Sequence, residues 1–125
     1  MKHPHVIMLN ELQKQLKPIL EKSAQGVYIY LDDEHSVCNK KFAAMLGYKS
    51  PREWSEVDDP LEATFAHKSQ NDVVAAYRNA VEKFTASAFN VTCKTKNGKE
   101  LKTKFIIVPI TFKGYSLALH FIEAI

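Results

Sequence analysis

Only two cysteines, Cys38 and Cys93, occur in the 125 residues. Neither sits in a CxxC pair or at a cysteine–histidine spacing suited to zinc, which argues against a disulfide scaffold and leaves two free thiols of the kind found in a reducing cytosol. No stretch approaches the roughly 20 apolar residues of a membrane helix. The apolar run Val6 to Leu9 is soon broken by Asn10 and Glu11, unlike the core of a signal peptide. A cytoplasmic protein without membrane insertion is expected. Blocks of like charge are missing too: the net charge of +3 comes from scattered lysines and gives no nucleic-acid footprint. There is no glycine-rich phosphate loop, and Asn97-Gly98 fits a hairpin turn. The acidic concentrations, Asp32-Asp33-Glu34 and Asp58-Asp59, read as turn and cap residues, with no nucleophile beside a base and no metal cluster.

What remains is an ordinary globular composition, 46% hydrophobic and 25% charged. The length suits one domain with one core and is too short for two. Residues 1–22 read as an N-terminal amphipathic helix and residues 23–125 as the domain proper. Within the first segment Leu9, Leu12, Leu16 and Ile19 recur at three- and four-residue spacing, the seam of an amphipathic helix or short coiled coil. Pro18 predicts a kink or an end near Lys17, because proline removes a backbone donor and clashes with the preceding turn. Either the chain's own domain or a second copy covers the seam.

Gly26 opens Val27-Tyr28-Ile29-Tyr30-Leu31, a β-branched and aromatic run apolar on both faces, as in a central strand. Asp32 to His35 form a turn into a short strand, Ser36 to Cys38. Asn39 then caps a helix presenting Phe42, Met45 and Leu46, which Gly47 ends in a left-handed conformation. Ser50-Pro51-Arg52-Glu53 combines a capping serine, proline at the first helical position and a glutamate three residues on, so a short helix starts there. Leu61 and Phe65 fall on a further helical turn. Ser69-Gln70-Asn71-Asp72 repeats the capping pattern before the longest helix, whose apolar side is Val73, Val74, Tyr77, Val81 and Phe84.

Beyond Phe84 the period becomes two. Phe89, Val91 and Cys93 alternate with polar residues, as do Leu101, Phe105 and Ile107 after Asn97-Gly98. A two-residue loop at Asn97-Gly98 would set Lys102 and Lys104 beside Cys93 and Val91, so burial selects a three-residue loop with Gly98 at the bulge. From Ile106 both faces are apolar: Ile106, Val108, Ile110 and Phe112 line the second face, to which the last strand is expected to add Ala118 and Ile122. That face needs a cover, either the N-terminal helix or a second copy of the chain.

The order of elements, with Gly26 to Asp33 followed by Asn39-Lys40-Lys41-Phe42-Ala43-Ala44-Met45-Leu46-Gly47-Tyr48, resembles the strand, turn and N-x-x-F-x-x-x-L-G-Y signature of PAS domains. Ala66 to Asp72 is similar to a drifted His-Pro-Asp-Asp motif, and Asn97-Gly98 stands at the family's hairpin. The resemblance covers Ser23 to Glu123. It implies an α+β PAS-like fold, a five-stranded antiparallel sheet with helices on one face around a small cavity, used for sensing or for protein association. Fold alone does not choose among these uses.

A ligand cavity would be lined by some of Tyr28, Tyr30, Phe42, Leu46, Phe65, Tyr77, Phe89 and Phe105. The alternative is a filled aromatic core. Three tyrosines tilt the choice towards a ligand with a polar edge. No cofactor is evident. Haem in this family takes an axial histidine on or near the long helix, and His67 just before it is the first to test, with His120 on the last strand also available. The flavin motif Asn-Cys-Arg-Phe-Leu-Gln is missing, and Cys38 and Cys93 read as small buried hydrophobes.

The resulting expectation is a non-enzymatic sensory module that binds a small ligand or protein partner. It homodimerises through Leu9, Leu12, Leu16 and Ile19 together with Ile106, Val108, Ile110 and Phe112. Because the chain closes almost at its last strand, output is expected through a signalling partner or through sequence of a larger parent protein. The alternative from another class is a small cone-shaped isomerase or hydrolase, which would need a buried acid or base in its cavity.

Overall fold

The computed structural model describes residues 4–125; the first three residues of the expected 1–22 segment lie outside the described residues. The elements are α1 (Pro4–Gln15), α2 (Lys17–Lys22), β1 (Gly26–Asp32), β2 (His35–Cys38), α3 (Lys40–Met45), α4 (Pro51–Ser55), α5 (Pro60–Thr64), α6 (His67–Lys83), β3 (Ser87–Lys94), β4 (Glu100–Phe112) and β5 (Tyr115–Ala124). The strands form one antiparallel sheet in the order β2-β1-β5-β4-β3. The first and last strands in sequence are therefore neighbours, and α3 to α6 cross from one half of the sheet to the other.

Turn chemistry sets both long hairpins. Phe89 pairs with Phe105, Val91 with Thr103 and Cys93 with Leu101, while the Thr95 amide donates to the Lys99 carbonyl at 2.8 Å. The loop is thus the three residues Lys96-Asn97-Gly98, with Gly98 at φ +85°, and every lysine of the hairpin is kept off the core face. At the second hairpin Lys113 and Gly114 both take positive φ, 50° and 83°. This two-residue turn pairs Phe112 with Tyr115, the geometry that matches strand twist. It joins odd positions of β4 to even positions of β5. Ala118 and Ile122 consequently lie with Phe105 and Ile107 in the core beneath the helices, and the expectation that they join the outer face is corrected. Leu117, Leu119 and Phe121 take that place.

Among the helices between β2 and β3, starts follow their side-chain caps with one exception. Asn39 Oδ1 accepts from the Phe42 amide at 2.9 Å and from the Val27 amide at 3.0 Å, while its Nδ2 donates to the Gln25 carbonyl. One buried side chain thus ties the start of β1 to the start of α3. Ser50 accepts from the Glu53 amide, and Glu53 in turn accepts from Lys49 rather than from Ser50. The exception is Ser69. The long helix begins at His67, with Ala66 at its cap position and no side-chain cap. Ser69 Oγ, already inside the helix, accepts from the Thr92 amide of β3 at 2.9 Å. The Ala66 amide donates to the Thr92 carbonyl, which draws the chain to the sheet and starts the helix earlier. The buried face of α6 is Ser69, Val73, Ala76 and Ala80, small residues that let the helix lie close to the sheet. Val74 and Phe84, expected on that face, are exposed.

Each sheet face has its own cover. Tyr28, Phe42, Trp54, Val73, Phe105, Ile122 and their neighbours form the inner core. On the outer face Met8, Leu9 and Leu12 of α1 pack on Val27, Ile29, Leu117 and Leu119, with Leu16, Leu20, Ile110 and Phe112 beside them. The chain breaks from helix at Leu16, one residue before α2, which holds Pro18 near its start. Polar contacts fasten α1 at two hairpin turns: His5 meets Asp32, and Glu11 pairs with Lys113. Burial alone would raise the Asp32 carboxyl, yet hydrogen bonds from His5, His35 and the Glu34 amide outweigh it and hold the group at about 2.

Candidate functional site

A cavity of about 410 Å³ opens between the inner face of the sheet and α4, α5 and α6. Even positions of β1 and β5 point into it, which places Tyr28, Tyr30 and His120 on its floor. Trp54 of α4, Pro60, Leu61 and Thr64 of α5, Phe65, and Val73, Val74 and Tyr77 of α6 complete the walls, with Asp33 and Asp59 also lining it. The walls are aromatic for a packing reason. A helix with alanines at its contact positions comes close to the sheet at Ala76 and Ala80, while Tyr77 sits beside them and faces Tyr30 edge-on at 5.4 Å.

Electrostatically this is a neutral site with polar points. His120 is fully buried, and its Nδ1 donates to the Tyr28 carbonyl at 3.2 Å. Burial pushes the imidazole down to about 3, so it is uncharged at neutral pH and its Nε2 is a bare acceptor. Burial likewise raises the Tyr28 hydroxyl well above its ordinary value, followed by the neighbouring Cys93, Tyr77 and Tyr30. Neither the Tyr28 nor the Tyr77 hydroxyl has a hydrogen-bond partner among the described residues. The Tyr30 hydroxyl donates to Asp33 at 2.6 Å, and Trp54 Nε1 donates to Thr64 Oγ1 at 3.0 Å. The two lining carboxylates, Asp33 and Asp59, are exposed, and Asp59 caps α5.

Of the eight residues expected to line a cavity, Tyr28, Tyr30, Phe65 and Tyr77 do so. Phe42, Leu46 and Phe105 do not: each is completely buried in the packed core beside it, Phe42 lying tilted against Tyr28 and edge-on to Trp54. Phe89 lines a separate hollow with Asp72, Ala75, Ala76, Asn79 and Ser87. Trp54, Thr64 and His120 are wall residues the sequence does not announce, because α4 and α5 carry no periodicity that orients them and the β5 register depends on the Lys113-Gly114 turn.

The structure places His67, the candidate for a haem ligand, outside the cavity. It is the first residue of α6, its side chain is 83% exposed, and it pairs with Glu62 at the surface, so the histidine in the cavity is His120 instead. Both thiols are buried, and burial lifts them to about 12 for Cys38 and about 11 for Cys93, values of inert core residues. The expected dimer seam is largely spent within the chain. Leu9 and Leu12 are buried on the outer sheet face, and Leu16, Ile110 and Phe112 pack against the same cluster. Ile19 is exposed, and Ile106 and Val108 are half-buried.

No protein-family model matches the chain, and no curated protein sequence matches it. Solved structures do resemble it. A PAS domain from Colwellia psychrerythraea superposes with a TM-score of 0.71 at 17% identity, covering 91% of this chain and 97% of that one. A PAS domain of a LuxR-family transcriptional regulator from Burkholderia thailandensis, solved in complex with ethanol, gives 0.64 at 11% identity over 87% and 96%. A domain of a sensory box sensor histidine kinase/response regulator from Geobacter sulfurreducens gives 0.62 at 16% identity over 90% and 95%. The chain has the PAS fold.

Proposed function

We propose that this PAS-fold chain is a sensory signalling module whose cavity binds a small, uncharged, planar molecule carrying a hydrogen-bonding edge. The observation that carries the reading is the buried, neutral His120 set among Tyr28, Tyr77 and Trp54 in a cavity of about 410 Å³. Aromatic walls favour stacking against a flat ligand, and a few fixed polar groups give it orientation. His120 Nε2 offers an acceptor, and the hydroxyls of Tyr28 and Tyr77 offer donors without competing partners. Some fold relatives belong to sensor kinases and transcriptional regulators, one of them solved with a small alcohol, which supports a binding rather than a catalytic use. The exposed positions of Asp33 and Asp59 point the same way, since a carboxyl that does acid–base work sits sheltered from water within the cavity.

The module works within a larger signalling protein or with a separate partner. Two unpaired, buried cysteines suit the cytoplasm, and among the described residues no helix is long and apolar enough to cross a membrane. We further propose a homodimer. With Leu9 and Leu12 occupied, the surface left to a second copy includes Ile106 and Val108, half-buried on the outer sheet face beside the helices.

Native mass spectrometry on freshly purified protein reads both proposals from one sample. Extra mass retained by wild type and lost in Val73→Phe, which fills the cavity, supports the ligand reading. Trp54, the single tryptophan, lines the cavity and reports binding by its fluorescence. If no retained mass appears and no planar heteroaromatic compound perturbs Trp54 in a titration, the cavity is not a ligand site. A monomer at micromolar concentration would remove the dimer.

A further inference from the structure

Away from the cavity, three side chains meet where α1 crosses the turn between β1 and β2. His5 is the second residue of α1, Asp32 ends β1 and His35 opens β2. His5 Nδ1 lies 2.5 Å from Asp32 Oδ2, and His35 Nδ1 lies 2.7 Å from Asp32 Oδ1. The two imidazoles stand edge to face with centroids 5.6 Å apart. Their side chains are 30% and 13% exposed and that of Asp32 is 38% exposed, so the group is partly sheltered from solvent.

We infer that His5, Asp32 and His35 form a binding site for a divalent transition-metal ion of the zinc class, which fastens helix α1 to the first hairpin. One donor atom from each residue lies within 4.8 Å of the other two. A tetrahedral ion with bonds of about 2.0–2.1 Å keeps its donors about 3.3 Å apart. Either carboxylate oxygen can serve, each already within 2.7 Å of one imidazole nitrogen, and the donors close on the ion from a spread of no more than 4.8 Å. Two imidazoles and one carboxylate suit zinc or cobalt(II), whereas calcium and magnesium ask for more oxygen donors than these residues supply. The ion would replace the hydrogens the two rings share with Asp32, each ring then carrying its proton on Nε2. Water can complete the coordination.

The placement gives the ion a structural consequence. The same helix carries Met8, Leu9 and Leu12 over the outer sheet face, and the ligands come from α1 and from both strands of the hairpin it crosses. Binding that requires all three holds the helix down by mass action. The site uses none of the cavity residues and stands apart from the ligand proposal.

Calorimetric titration of the full chain with Zn2+ tests the inference, with cobalt(II) absorption reporting the ligand set. Wild type is expected to bind one ion per chain, to unfold at a higher temperature with zinc, and to exchange the amides of α1 more slowly. His5→Gln, at the helix surface, and His35→Gln should each weaken binding by about tenfold or more. His3→Ala removes a histidine outside the described residues and should leave the affinity unchanged. Circular dichroism establishes that each variant is folded, and His5→Gln decides the matter if His35→Gln is not. No stoichiometric binding by wild type overturns the inference, as does binding that survives His5→Gln or disappears with His3→Ala alone.

Discussion

Tyr28 and His120 pair across β1 and β5, and their rings stack 3.9 Å apart with planes inclined by only 6°. The same histidine donates to the Tyr28 carbonyl, so ring and backbone hold it in one orientation. Phe105 stacks on it from the neighbouring strand at 5.6 Å. A polar ring is thereby fixed on the cavity floor without a charged partner.

That arrangement makes stability depend on pH in a stated direction. The folded His120 titrates at about 3 and the unfolded one near 6.5, so between these values the unfolded chain binds the extra proton. The contribution is present above pH 6.5 and is lost as pH falls, with a limiting slope of about 1.4 kcal/mol per pH unit. Tyr28, Tyr77 and Cys93 around it titrate far above this window. Denaturant midpoints at pH 7 and pH 5 should therefore differ more for wild type than for His120→Phe, which keeps the stacking and removes the proton. Equal differences in the two proteins would show that His120 is protonated in the fold.

Asn39 is expected to be worth more than an ordinary helix cap. Its replacement by alanine removes the cap of α3 and leaves the Val27 amide and the Gln25 carbonyl without their side-chain partner. A cap costs about 1 kcal/mol and a stranded buried polar group a further 1–3. Urea denaturation should give a loss of about 2–4 kcal/mol for Asn39→Ala. A loss under 1 kcal/mol would mean that water replaces both bonds.

How far these features are legible in the sequence depends on the range of the interaction that sets them. Asn39, Ser50 and Gly98 act on their own turns, so caps and the β3–β4 register can be read from neighbouring residues. The register of β5 hangs on Lys113, a non-glycine residue at positive φ, and a one-residue difference there moves Ala118, His120 and Ile122 to the other face. Both helices that wall the cavity beside α6 are five residues long, too short for a periodic pattern to orient Trp54 or Thr64. His5 and Asp32 are brought together by the docking of α1, a contact no local pattern announces.

Leu12 separates two uses of the N-terminal helix. It is 2% exposed on the chain's own outer sheet face, so Leu12→Ala should destabilise the chain by about 2–4 kcal/mol and speed hydrogen exchange through α1. Ile19→Ala, on the exposed side of α2, should stay within about 0.5 kcal/mol. The reverse order, measured at a concentration where the protein is monomeric, would mean that the leucine seam is not what covers the sheet.

Ser69 tests whether a capping pattern read from sequence can be put to another use by tertiary structure. A serine that caps a helix protects the amides of that helix's first turn, and its loss frays them. Here Ser69 Oγ receives the Thr92 amide of β3 instead, and the helix starts three residues earlier at His67. Ser69→Ala should cost about 1–2 kcal/mol by leaving a strand amide unpaired. Its signature in hydrogen exchange should be a faster Thr92 amide, with the amides of Asn71 and Asp72 unchanged. Faster exchange at Asn71 and Asp72 with Thr92 unaffected would restore the capping role and place the start of α6 at Gln70. The outcome bears on the cavity as well, because Val73 and Tyr77 take their positions from where that helix is latched to the sheet.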